Sequence, residues 1–320
     1  SGTGPLQMAL LYYLIKAGAH VVTAVTPHSF LDMMPTAWSL VAGRDIERLA
    51  MGIRYLLKIR KESVPIYYSH IVTNVIGSEK VEGTIISKVD SNWSPISGTE
   101  RELEADIVAT GFNLLPITDI ARLIGCETDY NEQNGHLLVT HAATMETSKK
   151  GIFIAGDGAS VKGFQAAVDE GCIAATEVAK QLGKMSNRDA GRQIGSTQKR
   201  IRGARRIGLA MSKAFNPKPG LLNIVTDETI VCRCEEVTYN DIKTAVDHGA
   251  RDLNDLKRRT RLGMGNCQGT FCCQSANELM WKAAGEAWPR TWFTPRQPIR
   301  PVPIGVLAAD THCNEEIISS

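Results

Sequence analysis

Four cysteines in the C-terminal third constrain this chain most. They stand as Cys232-x-Cys234 and, after 32 further residues, Cys267-x4-Cys272. Two close pairs can bring four thiolates to one centre. That donor set suits a [2Fe–2S] cluster, two thiolates per iron, or a single zinc. The stretch between the pairs reads as helix rather than as the hairpins of a zinc ribbon. Thr238 with Asp241 makes a capping-box start, Ile242, Ala245 and Val246 form an apolar stripe, and Gly249 stops it. Asp252 and Asp255 start a second helix carrying Leu253 and Leu256. The loop before the second pair holds Gly263 and Gly265, and Gly269 lies within the pair. Such glycines let backbone N–H groups approach cluster sulfurs. Cys273 follows directly and is the alternative fourth ligand. Cys126 and Cys172 have no cysteine neighbour in sequence and read as small buried hydrophobes.

The runs Val-Cys-Arg-Cys-Glu-Glu-Val-Thr at 231–238 and Leu-Asn-Asp-Leu-Lys-Arg-Arg-Thr-Arg-Leu-Gly-Met-Gly-Asn-Cys-Gln-Gly-Thr-Phe-Cys at 253–272 carry a resemblance. They resemble the bacterioferritin-associated-ferredoxin-like [2Fe–2S] domain. More closely, they are similar to its version fused to FAD-dependent amine and amino-acid dehydrogenases. Those are the larger subunits of opine oxidases, hydrogen cyanide synthase and dye-linked proline or hydroxyproline dehydrogenases. The C-x4-C spacing follows the fused version, since the ferredoxin itself uses C-x2-C. The resemblance implies Cys232, Cys234, Cys267 and Cys272 as metal ligands.

The N-terminal part is of another kind. Gly2-Thr3-Gly4 opens an apolar helix over Met8–Ala17, and a strand follows over Val21–Val25. This is the Gly-rich turn, helix and second strand of a dinucleotide-binding unit. The third glycine position is Gln7, and Thr26-Pro27 stands where an acid would hold a ribose hydroxyl. NAD is therefore not expected; another nucleotide, or a turn kept for packing, is. Such a turn follows a strand, yet none precedes Ser1, so the chain is expected to be a fragment, through expression choice, processing or a split gene. In the resembling family an FAD-binding segment with its own G-x-G-x-x-G comes first.

Further on, a basic amphipathic helix is expected over 44–62, with short strands at Ile66–Tyr68, Ile71–Ile76 and Lys80–Val89. Thr110-Gly111-Phe112 is similar to the A-T-G turn at which two-dinucleotide flavoproteins cross back to the FAD domain. Gly151–Ala155 reads as a buried strand ending at Gly156-Asp157, with a helix over Gly163–Ala179 that includes Gln165. The resemblance implies that Asp157 bonds the ribityl chain of FAD and that the helix N-terminus faces the cofactor. A carboxylate accepting a hydroxyl proton and a helix dipole favouring negative charge suit that role. An Asp that merely caps a helix is the alternative.

Residues 188–218 are strongly basic, with Asp189 the single acid. Nucleic-acid binding competes here with a solvated basic helix face, or one docking on a phosphate or an acidic subunit. Ile201, Ala204, Ile207, Met211 and Phe215 mark an apolar stripe and favour the helix. With that stripe nucleic acid is not expected, although the net charge of +2 argues neither for nor against a polyanionic partner; no run of 18 apolar residues exists, so no membrane span is expected either. Cysteines clustered as ligands point to a reducing, cytoplasmic setting, with a peripheral place at the inner membrane as the variant.

The fold class expected is α/β: a partial two-dinucleotide-binding-domain flavoprotein plus a small helical [2Fe–2S] domain. The divisions expected are 1–108 (nucleotide domain lacking its first strand), 109–185 (returning FAD segment), 186–222 (basic helix and linker), 223–285 (cluster domain) and 286–320 (Pro/Arg-rich tail wrapping another domain). The cofactor-binding candidates are Gly2, Gly4, Thr110, Gly111, Gly156, Asp157, Gly163 and Gln165, for FAD and a second, non-NAD nucleotide. No catalytic acid/base pair or nucleophile is visible. The function expected is electron transfer within a multi-subunit FAD-dependent dehydrogenase acting on an amino acid, imino acid or opine. The expected partners are a catalytic flavoprotein subunit of the amino-acid-oxidase type, a respiratory acceptor and a small ferredoxin-like subunit. A NAD(P)H-dependent flavin reductase with a fused ferredoxin domain and a non-catalytic iron–sulfur module are the alternatives.

Overall fold

The computed structural model describes the chain apart from residues 36, 37, 39, 40, 42–45, 113, 132–134, 286–289 and 309–320; for 204–206, 209, 212, 213 and 307 it describes the backbone alone. The first two residues of the helix expected over 44–62, the stripe residue Ala204 and the start of the tail therefore lie outside the described side chains. Two compact units result. One is Ser1–Thr118 with Cys126–Val225; the other is Asp119–Gly125 with Thr226–Ser320.

In the first unit, α1 (Gly4–Lys16) begins with Pro5 in its first turn, where a missing N–H costs nothing, and ends before Gly18 at φ 86. Strand β1 is Ala24–Thr26, shorter than expected because only those residues find a partner, the parallel β2 (Ile66–Tyr68). The crossover between them contains α2 (Ile46–Lys61), as parallel neighbours require. Leu11, Ala24 and Ile59 form the core joining these elements. Ile59 is the buried residue of α2, while Met51, Ile53, Leu56 and Leu57 stay exposed. Strands β3 (His70–Ile76), β4 (Gly83–Lys88) and β5 (Arg101–Glu104) form an antiparallel sheet. A hairpin that the sequence pattern did not reveal follows, β6 (Thr128–Asn131) with β7 (His136–Val139).

The strand expected at Gly151–Ala155 is reduced to one bridge between Phe153 and Glu146. A strand needs a ladder, and here only Met145–Thr147 lies alongside: Ile154 donates to Met145 O and Thr147 to Ile152 O. Beyond it, α4 (Phe164–Gln181) packs on the long α5 (Asn187–Phe215) around Met145, Ile173 and Ile201. Ile207, like Ile201, is buried, so the stripe read from the basic segment faces the unit's interior.

The second unit includes the short α3 (Asp119–Leu123), then β8 (Ile230–Cys232) and β9 (Val237–Thr238), α6 (Tyr239–Asp247), α7 (Leu253–Thr260) and α8 (Cys272–Ala284). Thr238 and Asp241 form the reciprocal capping box, and Asp252 caps α7 through Asp255 N–H. Each cap contributes about 1 kcal/mol. Ile242, Leu253, Leu256, Leu262 and Ala276 are fully buried between these helices. The tail over 290–303 has no regular structure and lies across them: Thr291 Oγ1 accepts from Leu253 N–H at 3.0 Å and Arg300 reaches Asp119 at 3.2 Å.

Candidate functional site

In the first unit the glycine candidates fall into two places. Gly2 donates to Val25 O at 3.0 Å, Thr3 to Gly111 O at 3.1 Å and Gly111 to Ser1 O at 3.0 Å. Gly2, Thr3 and Gly111 thus meet beside β1, with Gly4 and Thr110 next to them in the chain. A Cβ on Gly2 would lie 2.2 Å from Gly111 O, so only glycine allows this approach. Gln7 turns inward and donates to Val25 O at 2.8 Å. The Phe215 ring lies 3.5 Å from the Cβ position of Gly4, covering the turn. Phe215 also packs edge-on against His28, whose other side meets Trp93, each with ring centroids 5.1 Å apart. Burial, opposed by Asp32 and aided by Lys218, lowers the His28 pKa.

The second place is the Gly156 turn. Gly156 has φ 68, and its N–H donates to Glu170 Oε2 at 2.9 Å. The other oxygen of this fully buried carboxylate accepts from Lys162 at 2.8 Å. Asp157, Gly163 and Gln165 are exposed, and the Asp157 carboxylate takes no partner among the described residues. Asp157 therefore does not cap α4, whose N-cap is Gly163 at φ 90. Gly208 of α5 packs on Lys162, and Phe215 lies seven residues further along. At 1.5 Å per residue, one helix thus links the two places over about 10 Å.

The thiols meet in the second unit. Cys232 ends β8, Cys234 lies in the turn after it, Cys267 in the Gly-rich loop, and Cys272 opens α8. Cys232 is close enough to Cys272, and Cys234 to Cys267, to act on its thiol. Burial and the neighbouring Cys232 push the Cys272 thiol far up. Burial works the same way at Cys267, but the N–H groups of Phe271 and Gly269, the Cys234 thiol and the Thr270 N–H outweigh it and lower its pKa. Among the described residues no three His, Cys, Asp or Glu side chains gather about one ion position. Four sulfurs in two pairs suit two irons sharing bridging sulfides. Cys273 turns away. Burial pushes its pKa up to about 11, and it faces the Phe293 backbone, Arg122 and Asp119.

Residues 230–281 match the family described as the BFD-like [2Fe-2S] binding domain. The chain carries this domain. Over 303 residues the chain is 27% identical to hydrogen cyanide synthase subunit HcnB of Pseudomonas aeruginosa, covering 95% of this chain and 64% of that one. It is 28% identical over 322 residues to an opine oxidase subunit from Agrobacterium tumefaciens, covering 97% and 60% respectively. The chain thus spans about two-thirds or less of the length of these relatives. Among solved structures, L-proline dehydrogenase from P. horikoshii superposes with a TM-score of 0.55 at 19% identity, over 80% of this chain and 48% of that one. The α/β fold of the chain is the fold of that dehydrogenase over this range, and the BFD-like domain adds its small helical unit.

Within the BFD-like domain the glycines divide their work. Of the three loop glycines, Gly265 is the one whose Cβ position meets a cysteine side chain, 2.2 Å from Cys234 Cβ. The Cβ positions of Gly263 and Gly269 each lie 2.6 Å from the Phe293 ring, which therefore seats on bare backbone. Neither Phe293 nor Glu170 stood out in the sequence. An aromatic in a Pro/Arg-rich tail and an acid in a helix of small residues were the signals available. Cys172 is exposed on α4 rather than buried as expected, because it lies about 100° round the helix from Ile173, off the packed face. Cys126 is buried as expected and bonds Thr147 at 3.3 Å.

Proposed function

We propose that this chain is the electron-transferring part of a multi-subunit FAD-dependent oxidoreductase. A partner subunit of the amino-acid-oxidase type would oxidise an amino acid, imino acid or opine. Electrons would leave through the BFD-like domain, by way of a small ferredoxin-like subunit or directly, toward a respiratory acceptor. The observation that carries this reading is the two-by-two gathering of thiols in a matched cluster-binding domain. When bound, a [2Fe–2S] group supplies one-electron chemistry, and an FAD supplies the step from two electrons to one. Cys232, Cys234, Cys267 and Cys272 would hold the first. Gly156, Asp157, Gly163 and Gln165 would meet the flavin and ribityl part of the second.

The chain's own residues set the terms. Glu170 fixes the Gly156 turn, leaving the Asp157 carboxylate free to accept a hydroxyl hydrogen. The dipole of α4 favours negative charge at its N-terminus. Phe215 over Gly4 and the inward Gln7 support leaving NADH out of the Gly2–Gly4 turn. We place the chain in the cytoplasm, consistent with the described helices, none of which is long and apolar enough to cross a membrane. Anaerobic purification tests the reading: about two irons and matching acid-labile sulfide per chain are expected, with a dithionite-bleachable visible spectrum. One zinc without sulfide would overturn it.

A further inference from the structure

The two thiol pairs are not equivalent. Cys232 and Cys272 are 1% and 3% exposed, whereas Cys234 is exposed and Cys267 half-buried. Solvent at the sulfurs stabilises added negative charge on a cluster. The Cys234–Cys267 edge is thus the side on which a reducing electron is best accommodated and nearest the surface. Phe271 sits at this edge, in the loop between two ligands, 83% exposed. A single exposed aromatic is ordinary; its place on the rim of the thiol site is what selects it. From Gly263 to Asn277 the chain carries no charged residue. Beside it, Arg261 is already paired with Glu235 at 2.8 Å. Arg233 and Glu236, exposed on either side of Cys234, carry opposite charges, so contact here would come from apolar burial at an edge with no net charge.

We propose that electrons cross the surface at the Cys234–Cys267 edge, and that Phe271 is the residue on which a one-electron protein acceptor docks, its own cofactor edge set in an apolar rim. The acceptor gains the electron the protein loses; no bond or proton moves. This rests on the cluster reading. The test uses the iron-replete full chain, reduced with dithionite and mixed in stopped flow with two oxidants: a cytochrome c, whose haem edge lies in such a rim, and ferricyanide. Phe271→Ser should slow oxidation by cytochrome c about tenfold, the equivalent of one lost aromatic contact. Ferricyanide oxidation and iron content should stay unchanged, and Phe271→Leu should keep most of the cytochrome rate. Raising the salt should change the wild-type rate little. Equal slowing with both oxidants, no slowing with either, or loss of iron in Phe271→Ser would overturn the port. Wild-type chain without iron would instead remove the cluster reading itself.

Discussion

The thiol site and the Gly156 turn are assembled in different ways. All four thiols come from one stretch of 41 residues, Cys232 to Cys272, inside the second unit. Short helices with their own caps and a fully buried core hold that stretch, so the donors stand together without help from elsewhere. The Gly156 turn depends on Glu170 and Lys162, and the other glycine place joins residues more than a hundred positions apart. The first site consists of four side chains. The second consists of backbone conformation that packing must maintain. Single substitutions should therefore act all-or-none in the first and by degrees in the second.

The largest effect belongs to the thiols. Serine at Cys232, Cys234, Cys267 or Cys272 should each abolish the visible spectrum and the iron, since three thiolates leave one iron short of a ligand. Cys273→Ser should keep both, because that thiol faces Arg122 and the Phe293 backbone. Iron retained in Cys272→Ser and lost in Cys273→Ser would exchange their roles. Partial iron loss graded across all five would erase the contrast between the two regions.

The ease of reading each region from sequence follows the same contrast. Cysteine spacing and capping motifs are local, so the pairs, the Thr238 and Asp252 caps and the stripe of α6 were legible. The Ile66–Tyr68 strand was legible too, having β-branched and aromatic residues between breaks. Long-range choices were not. Nothing near Gly4 says that Phe215 will cover it, and nothing near Gly263 says that Phe293 will seat there. The strand at 151–155 had the composition of a strand but lacked the ladder, which composition does not encode.

A middle-sized effect is expected at Glu170. Replacing it with Ala leaves the Gly156 N–H without its buried acceptor and Lys162 without its counter-charge. Together these cost about 2–4 kcal/mol. Glu170→Gln keeps an acceptor for Gly156 and should lose about half of that. Chemical denaturation followed by far-UV circular dichroism measures the difference, and iron content should not change in either variant. Iron loss in Glu170→Ala would show that the second unit leans on the first.

The smallest effect concerns the cover over Gly4. His28 stands between Trp93 and Phe215, is 2% exposed, and its Nε2 has no partner among the described residues. Burial makes the charged form costly, so the folded pKa lies below the ordinary 6.5. The unfolded chain then binds the proton more readily than the folded one. Stability is fully present above pH 6.5 and is lost as the pH falls below that value toward the lower folded pKa. The charge would also draw water beside Phe215 and loosen the ring over Gly4. His28→Phe keeps a ring between the two aromatics and removes the titration. Between pH 7 and 5 the wild type should lose about 2–4 °C more in melting midpoint than this variant does. His28→Gln, which does not titrate either, should follow the variant in slope even if it starts lower. Parallel slopes in all three would mean that acid reaches the first unit through other groups, and that the packing over Gly4 is indifferent to His28.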